Sequence, residues 1–155
     1  RWDLAGAVSK NQIKRYHLYA WSDQAGAEVL TTYDRTPIAY SPQLVLSNTL
    51  TFAHRAFEAA LTSQYVGMQY LDNTGSRERS LPAYHVASLR LGYELPVHFV
   101  RSWSISLQIN NLFDARYSSN GGAGYTFDKK GAISSYTWTY PQAGIHAFLG
   151  TTITI

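Results

Sequence analysis

The stretch Trp103-Ser104-Ile105-Ser106-Leu107-Gln108-Ile109-Asn110 decides the fold, because every odd position is large and apolar and every even one is small or polar. A period of two is that of a β-strand with one greasy and one wet face. The same alternation recurs outward from it. Leu44, Leu46, Leu50 and Phe52 oppose Val45, Ser47, Thr49 and Thr51, with Asn48 as one polar residue on the apolar side. Phe57, Ala59 and Leu61 oppose Glu58, Ala60 and Thr62 in a strand expected to run on towards Tyr70. Within residues 83–95, Ala87, Leu89, Leu91, Tyr93 and Leu95 oppose Ser88, Arg90, Gly92 and Glu94. Ile145, Ala147, Leu149, Ile153 and Ile155 oppose His146, Phe148, Gly150, Thr152 and Thr154, and Trp2, Leu4 and Val8 start a sixth strand.

Charge gives a second test of this register. Asp3, Glu58, Arg90, Glu94, Asp114 and Arg116 are the charges expected within strands, each opposite the apolar stripe. Most others are expected between strands: Lys10, Lys14, Arg15, Asp23, Glu28, Asp34 and Arg35; Asp72, Arg77, Glu78 and Arg79; and Asp128, Lys129 and Lys130. A lipid-facing Lys or Arg costs roughly 2–4 kcal/mol near the bilayer midplane, whereas a barrel lumen tolerates it. Connections also alternate, short at residues 53–56 and 96–102, long and polar at residues 23–40, 72–82 and 118–140. Short periplasmic turns and long extracellular loops are the pattern of an outer-membrane barrel. Phe52, Phe57, Tyr93 and Trp103 lie beside the short turns, and Tyr65, Tyr70, Tyr84, Tyr117, Trp138 and Tyr140 nearer the long loops, as two interfacial girdles would. A soluble sandwich filled with these rings is the competing architecture.

Composition excludes several classes. The net charge of +3 is spread without a run or stripe, so no nucleic-acid partner is expected. With no Cys there is no disulfide and no thiolate site, and His17, His54, His85, His98 and His146 lack metal-ligand spacing. No run of about 18 apolar residues supports a transmembrane helix, which leaves barrel strands untouched. Gly121-Gly122-Ala123-Gly124 follows a strand but opens no helix, and reads as a flexible loop tip. No nucleophile elbow or dinucleotide fingerprint is present, so no catalytic residue, cofactor or metal is expected.

Ile109-Asn110-Asn111-Leu112-Phe113-Asp114-Ala115-Arg116-Tyr117 resembles the "NNLFD..Y" element near the C-terminus of TonB-dependent receptors, and Tyr140-Pro141-Gln142-Ala143-Gly144-Ile145 resembles their "YPQAG" closing strand. Tyr40-Ser41-Pro42, Tyr65-Val66-Gly67, Tyr70-Leu71-Asp72-Asn73 and Leu81-Pro82-Ala83-Tyr84 follow in the family's order, so the resemblance covers nearly the whole chain. It implies an all-β antiparallel transmembrane barrel segment, about six strands of a 22-stranded barrel in the bacterial outer membrane. Residues 1–155 would be the C-terminal part of the barrel domain, with the plug domain and TonB box outside this chain. Ile155 departs from the aromatic residue that usually ends such strands.

The function so implied is TonB-dependent uptake of a scarce nutrient complex: a ferric siderophore, haem or a vitamin. Its partners would be the rest of the barrel and plug, TonB through the plug, outer-membrane lipid and the small ligand. The closing segment is less similar to the glycan importers that pair with a surface lipoprotein, and a barrel serving only as a platform in an envelope assembly is a further alternative. Arg77, Arg79, Tyr125, Tyr136 and Trp138 are the candidate ligand-contacting loop residues. Arg90, Glu94, Asn110, Asp114 and Arg116 are the candidate lumen-facing polar residues, with turn formation the simpler role for the Asn110-Asn111 pair.

Overall fold

A computed structural model describes residues 1–22, 24–127 and 133–155. Six strands, β1 (Trp2–Val8), β4 (Leu44–His54), β5 (Phe57–Val66), β8 (Tyr84–Glu94), β9 (Ser102–Asn110) and β12 (His146–Thr154), form one antiparallel sheet in that order. Between them lie three excursions. Strands β2 (Gln12–Ser22) and β3 (Ala27–Pro37) pair as a hairpin. A two-residue pair, β6 (Gln69–Tyr70) and β7 (Ser80–Leu81), encloses a 3-10 turn at Arg77–Arg79. Strands β10 (Ser118–Phe127) and β11 (Ile133–Pro141) form the third.

The register confirms the two-faced wall. Trp2, Leu50, Leu61, Leu89, Ile109 and Ala147 stand opposite one another across all six strands, and Phe52, Ala59, Leu91, Leu107 and Leu149 make a second apolar row. Asp3, Thr49, Thr62 and Ser88 share a row of the other parity, as do Ala60, Arg90, Gln108 and Phe148. Neighbouring residues of a strand point to opposite faces, so Asp3, Glu58, Arg90 and Glu94 all lie on the wet side. The Arg90 guanidinium reaches Glu58 at 3.6 Å.

Three expectations change. Asp114 and Arg116 are not in a strand: β9 stops at Asn110, and Asn111 and Asp114 take φ values of 50° and 49°, outside the extended range of a regular strand. Lys14, Arg15, Glu28, Asp34 and Arg35 lie on β2 and β3 rather than in an unstructured link. The glycine-rich segment at residues 121–124 is part of β10, not a loop tip. In addition, β5 ends at Val66, where the Gly67 N–H donates to the Leu44 carbonyl and the chain turns into the second excursion. Asp23, Asp128, Lys129, Lys130 and Gly131 fall outside the described residues.

The packed interior is not in the sheet, whose two faces each meet their own surroundings. Among the described residues the buried apolar side chains are Leu18, Ala20, Leu71 and Leu81 in the excursions, with Val66 and Ala87 on the strand segments nearest them. The three excursions therefore make a small cap at one end of a single-layer wall. At the other end are the two-residue turn at Arg55 and Ala56 and the connection at residues 95–101.

Candidate functional site

The cap is assembled from contacts between the three excursions. Leu71 fills its interior, the Asn73 side-chain oxygen accepts from the Ala39 N–H at 2.7 Å, and the Tyr40 N–H donates to the Tyr70 carbonyl at 2.9 Å. The Tyr40 hydroxyl donates to the Gly121 carbonyl at 2.7 Å. First, second and third excursions are thus joined through residues 39–40. On β2 the buried face carries Leu18, Ala20 and Ser22 and packs towards β10, while Tyr19 and Trp21 are turned outward.

At the centre is Asp72. Its carboxylate accepts from the Thr74 N–H at 2.8 Å, the Thr74 hydroxyl at 2.6 Å and Arg79 Nε at 2.6 Å, and also from the Tyr125 hydroxyl. Arg79 continues to Thr74 Oγ1 at 2.6 Å and to Ser135 Oγ at 3.0 Å, with its guanidinium carbon 5.2 Å from the centre of the Tyr125 ring. Burial alone raises the Asp72 carboxyl, but the hydrogen bonds from Thr74, Tyr125 and Arg79 together outweigh it and hold its pKa below the usual carboxylate value. Burial and the neighbouring Asp72 charge push the Tyr125 phenol well up, so it stays a donor. At 8% exposure Arg79 is committed to this network, and its reading as a solvated ligand contact gives way to a structural one.

The other candidates are placed differently. Tyr136 and Trp138 lie on the opposite face of the last hairpin, ring centres 5.9 Å apart and 60% and 43% exposed. They stand across from Gly124 and Gly122, where a Cβ would run into the Tyr136 and Trp138 rings. Glycine lets each ring lie flat on β10, which leaves its outer face free to stack on a planar or apolar group. Arg77 is exposed and borders a cavity of about 260 Å³ with Asn11, Ser41, Gln43, Met68 and Tyr70. Tyr136 and Trp138 do not line that cavity.

Below the cap, Asn111 and Asp114 hold the end of β9 to the start of β12. Asn111, 5% exposed, donates through Nδ2 to the Ala115 and Ala143 carbonyls at 2.9 and 3.0 Å and accepts from the Ala115 N–H. Asp114 accepts from the Ile145 N–H at 2.9 Å. Asn110 meets His146 at 3.1 Å and accepts from Gln108 at 2.9 Å on the wet face. Arg116 is exposed beside Tyr117 and Gln142. Asp72, Tyr40 and Asn73 were not singled out from the sequence, although the only signal that marks them, membership of short aromatic-led motifs, was there. No group of three His, Asp or Glu among the described residues could hold a metal.

Comparison with known proteins follows the same lines. The family described as TonB dependent receptor-like, beta-barrel, matches residues 2–112. The closed-form crystal structure of the ferric-catecholate import receptor Fiu from E. coli K12 superimposes with a TM-score of 0.57 at 21% identity, over 97% of this chain and 18% of the receptor. Its open form gives 0.50 at 21% identity, over 80% of this chain and 17% of that one. The chain therefore spans less than a fifth of the receptor it matches. An FMN-dependent NADH:quinone oxidoreductase of Shigella flexneri is 28% identical over 151 residues, covering 92% of this chain and 67% of that protein. Nucleotide phosphates are commonly cradled at a helix N-terminus after a strand. The longest helical segment among the described residues is the three-residue turn Arg77–Arg79, so the fold sides with the receptor barrels.

Proposed function

Because the chain belongs to the TonB-dependent receptor β-barrel family, a family of receptors and not of enzymes, we infer that it forms part of the wall and extracellular cap of an outer-membrane importer for a scarce nutrient complex, of the ferric siderophore, haem or vitamin class. One observation carries this reading: a predominantly apolar face across six strands, backed by a face holding Asp3, Glu58, Arg90 and Glu94, with all three long excursions folded together at one end. Such a wall suits hydrocarbon on one side and a plug with its water on the other.

The outer edges of β1 and β12 pair with nothing among the described residues, and the remaining strands of a barrel would close there. Residues 1–155 are read as the C-terminal part of that barrel, with a plug and its TonB box elsewhere in the protein. In the cap, the flat rings of Tyr136 and Trp138 supply stacking surface and Arg77 supplies a cation, which suits an anionic complex with planar groups. Transport of this kind needs positioning and release rather than covalent chemistry.

The test is binding by the full-length receptor in detergent of a ferric catecholate, a ferric hydroxamate, haem and a cobalamin, followed by tryptophan quenching. At least one is expected to bind with a Kd below about 1 μM, and Trp138→Ala to weaken it about tenfold. Failure of all four, with growth on each unaffected by deleting the gene, would reject the uptake role.

A further inference from the structure

The apolar side of the wall is not smooth. Trp2, Leu50, Phe52, Ala59, Leu61 and Leu89 enclose an open groove of about 510 Å³ across β1, β4, β5 and β8. Its shape has a local cause: Ala59 stands opposite Phe52, which puts a methyl group among larger side chains, and the Trp2 indole, held by Asn48, forms one bank.

At the short-turn end of this groove the charges are sorted. His54 follows Phe52 by two residues and so shares its face, roughly 7 Å further along the strand. Arg55 is exposed in the two-residue turn that follows. The neighbouring connection, tied to that turn where the Glu94 N–H donates to the Ala56 carbonyl at 2.9 Å, adds the exposed Arg101. There the exposed Phe99 ring packs edge-on against Trp103, centres 6.2 Å apart, as an aromatic anchor at a membrane boundary would.

The other two guanidiniums of this half of the wall are taken up, Arg90 by Glu58 at 3.6 Å and Arg1, which also borders the groove, by Asp3 at 2.9 Å. Arg55 and Arg101 have no ion pair or side-chain hydrogen bond among the described residues. Arg55 also borders a notch on the wet face with Glu58 and Glu94, yet comes within 4 Å of neither carboxylate. An apolar slot that opens onto unpaired guanidiniums and an imidazole matches an acyl chain joined to a phosphate.

From this geometry we propose that the groove holds one anionic phospholipid of the leaflet on the short-turn side, an acyl chain lying against Ala59 and the phosphate set among His54, Arg55 and Arg101. The inference rests on the reading of this face as the one towards hydrocarbon, which the cost of Leu61→Lys tests by itself. A receptor that takes up its nutrient but shows no lipid preference loses only the lipid site.

Native mass spectrometry of the full-length receptor, released from nanodiscs of equimolar phosphatidylglycerol and phosphatidylethanolamine, tests it. One phosphatidylglycerol is expected to be retained over phosphatidylethanolamine by about fivefold. Arg55→Gln combined with Arg101→Gln should bring that ratio close to one, and Ala59→Phe, which fills the groove, should lower retention of phosphatidylglycerol by about fivefold. Arg35→Gln combined with Arg116→Gln removes the same charge at the other end and should leave the ratio as it was. Equal retention of the two lipids by the unaltered receptor, an unchanged ratio in the Arg55 and Arg101 variant, or the same loss in the Arg35 and Arg116 variant overturns the proposal. So does a dimer that carries no phospholipid, which would give the groove to a second copy. If the variants do not reach the folded barrel, photoreactive phosphatidylglycerol on the unaltered receptor must still label residues 44–61 and 84–94 in preference to 102–110 and 146–154. That labelling should yield to unlabelled phosphatidylglycerol and not to phosphatidylethanolamine, and even labelling of all four segments rejects the site.

Discussion

The Trp2 indole N–H donates to the Asn48 side-chain oxygen between β1 and β4, on the apolar face of the wall, and the Asn48 amide lies 3.4 Å from Ser63 Oγ on β5. The polar spot that Asn48 and Ser63 make in the outward stripe is thereby closed within the protein. Asn48→Ala should destabilise the folded barrel by about 1 kcal/mol, since it strands the indole donor, and Trp2→Phe by a similar amount. Combined, the two should cost less than their sum by roughly 0.5–1.5 kcal/mol. Denaturant titration of the full-length protein in phospholipid measures the coupling, and strict additivity would contradict the bond.

Leu61 and Thr62 are successive residues on β5 that face opposite sides of the wall. Leu61→Lys should cost about 2–4 kcal/mol in the same titration, and Thr62→Lys less than about 1 kcal/mol. Thr62 shares its row with Asp3, which would accept the new charge. Equal losses would place the bilayer elsewhere.

Arg79→Met leaves the Asp72 carboxylate buried without its cation, and should destabilise the cap by about 3 kcal/mol. The readout is proteolysis or amide exchange of the excursions, with the strands unaffected.

The cap should also loosen in acid. Because the Asp72 pKa is depressed in the folded protein, its stabilisation is complete above about pH 4, where the unfolded carboxyl is ionised, and is lost as the pH falls through the lower folded value. Exchange rates in residues 69–81, corrected for intrinsic chemistry, should be flat from about pH 5 to 8 and rise only below about pH 4. A transition near neutrality would point to a different group.

Asn111→Ala removes three hydrogen bonds at a buried site and puts a less tolerant residue at φ 50°, so a loss of about 2–4 kcal/mol is expected. Asp114→Asn, which can still accept from the Ile145 N–H, should cost less than about 1 kcal/mol. Refolding yield and unfolding midpoint of the full receptor report both.

All six wall strands were legible because each meets two different surroundings, which writes an alternation of period two directly into the chain, as at Trp103 to Asn110. The cap was not. On β2 the inward residues are Leu18, Ala20 and Ser22 and the outward ones Tyr19 and Trp21, so the usual hydrophobic contrast between the two faces is lost. On β10 the glycines read as a turn because what covers Gly122 is Trp138, sixteen residues further on, and local propensity carries no trace of it. Arg79 looked like a surface cation for the same reason, since Tyr125 and Ser135 lie far along the chain. The NNLFD and YPQAG segments are recognisable as family motifs, yet only the fold gives their reason: Asn111 and Asp114 of one clasp Ala143 and Ile145 at the other.

A wall one strand thick shares little interior with the loops it carries. Among the described residues, nearly every side chain shielded from solvent belongs to the excursions, and the strands contribute little beyond Val66 and Ala87 to that shielding. Changes of taste in the cap can therefore accumulate without weakening the staves that bear it. Grafting residues 9–43, 67–83 and 111–145 together onto a related barrel should transplant a self-supporting head, where moving any one alone would tear it.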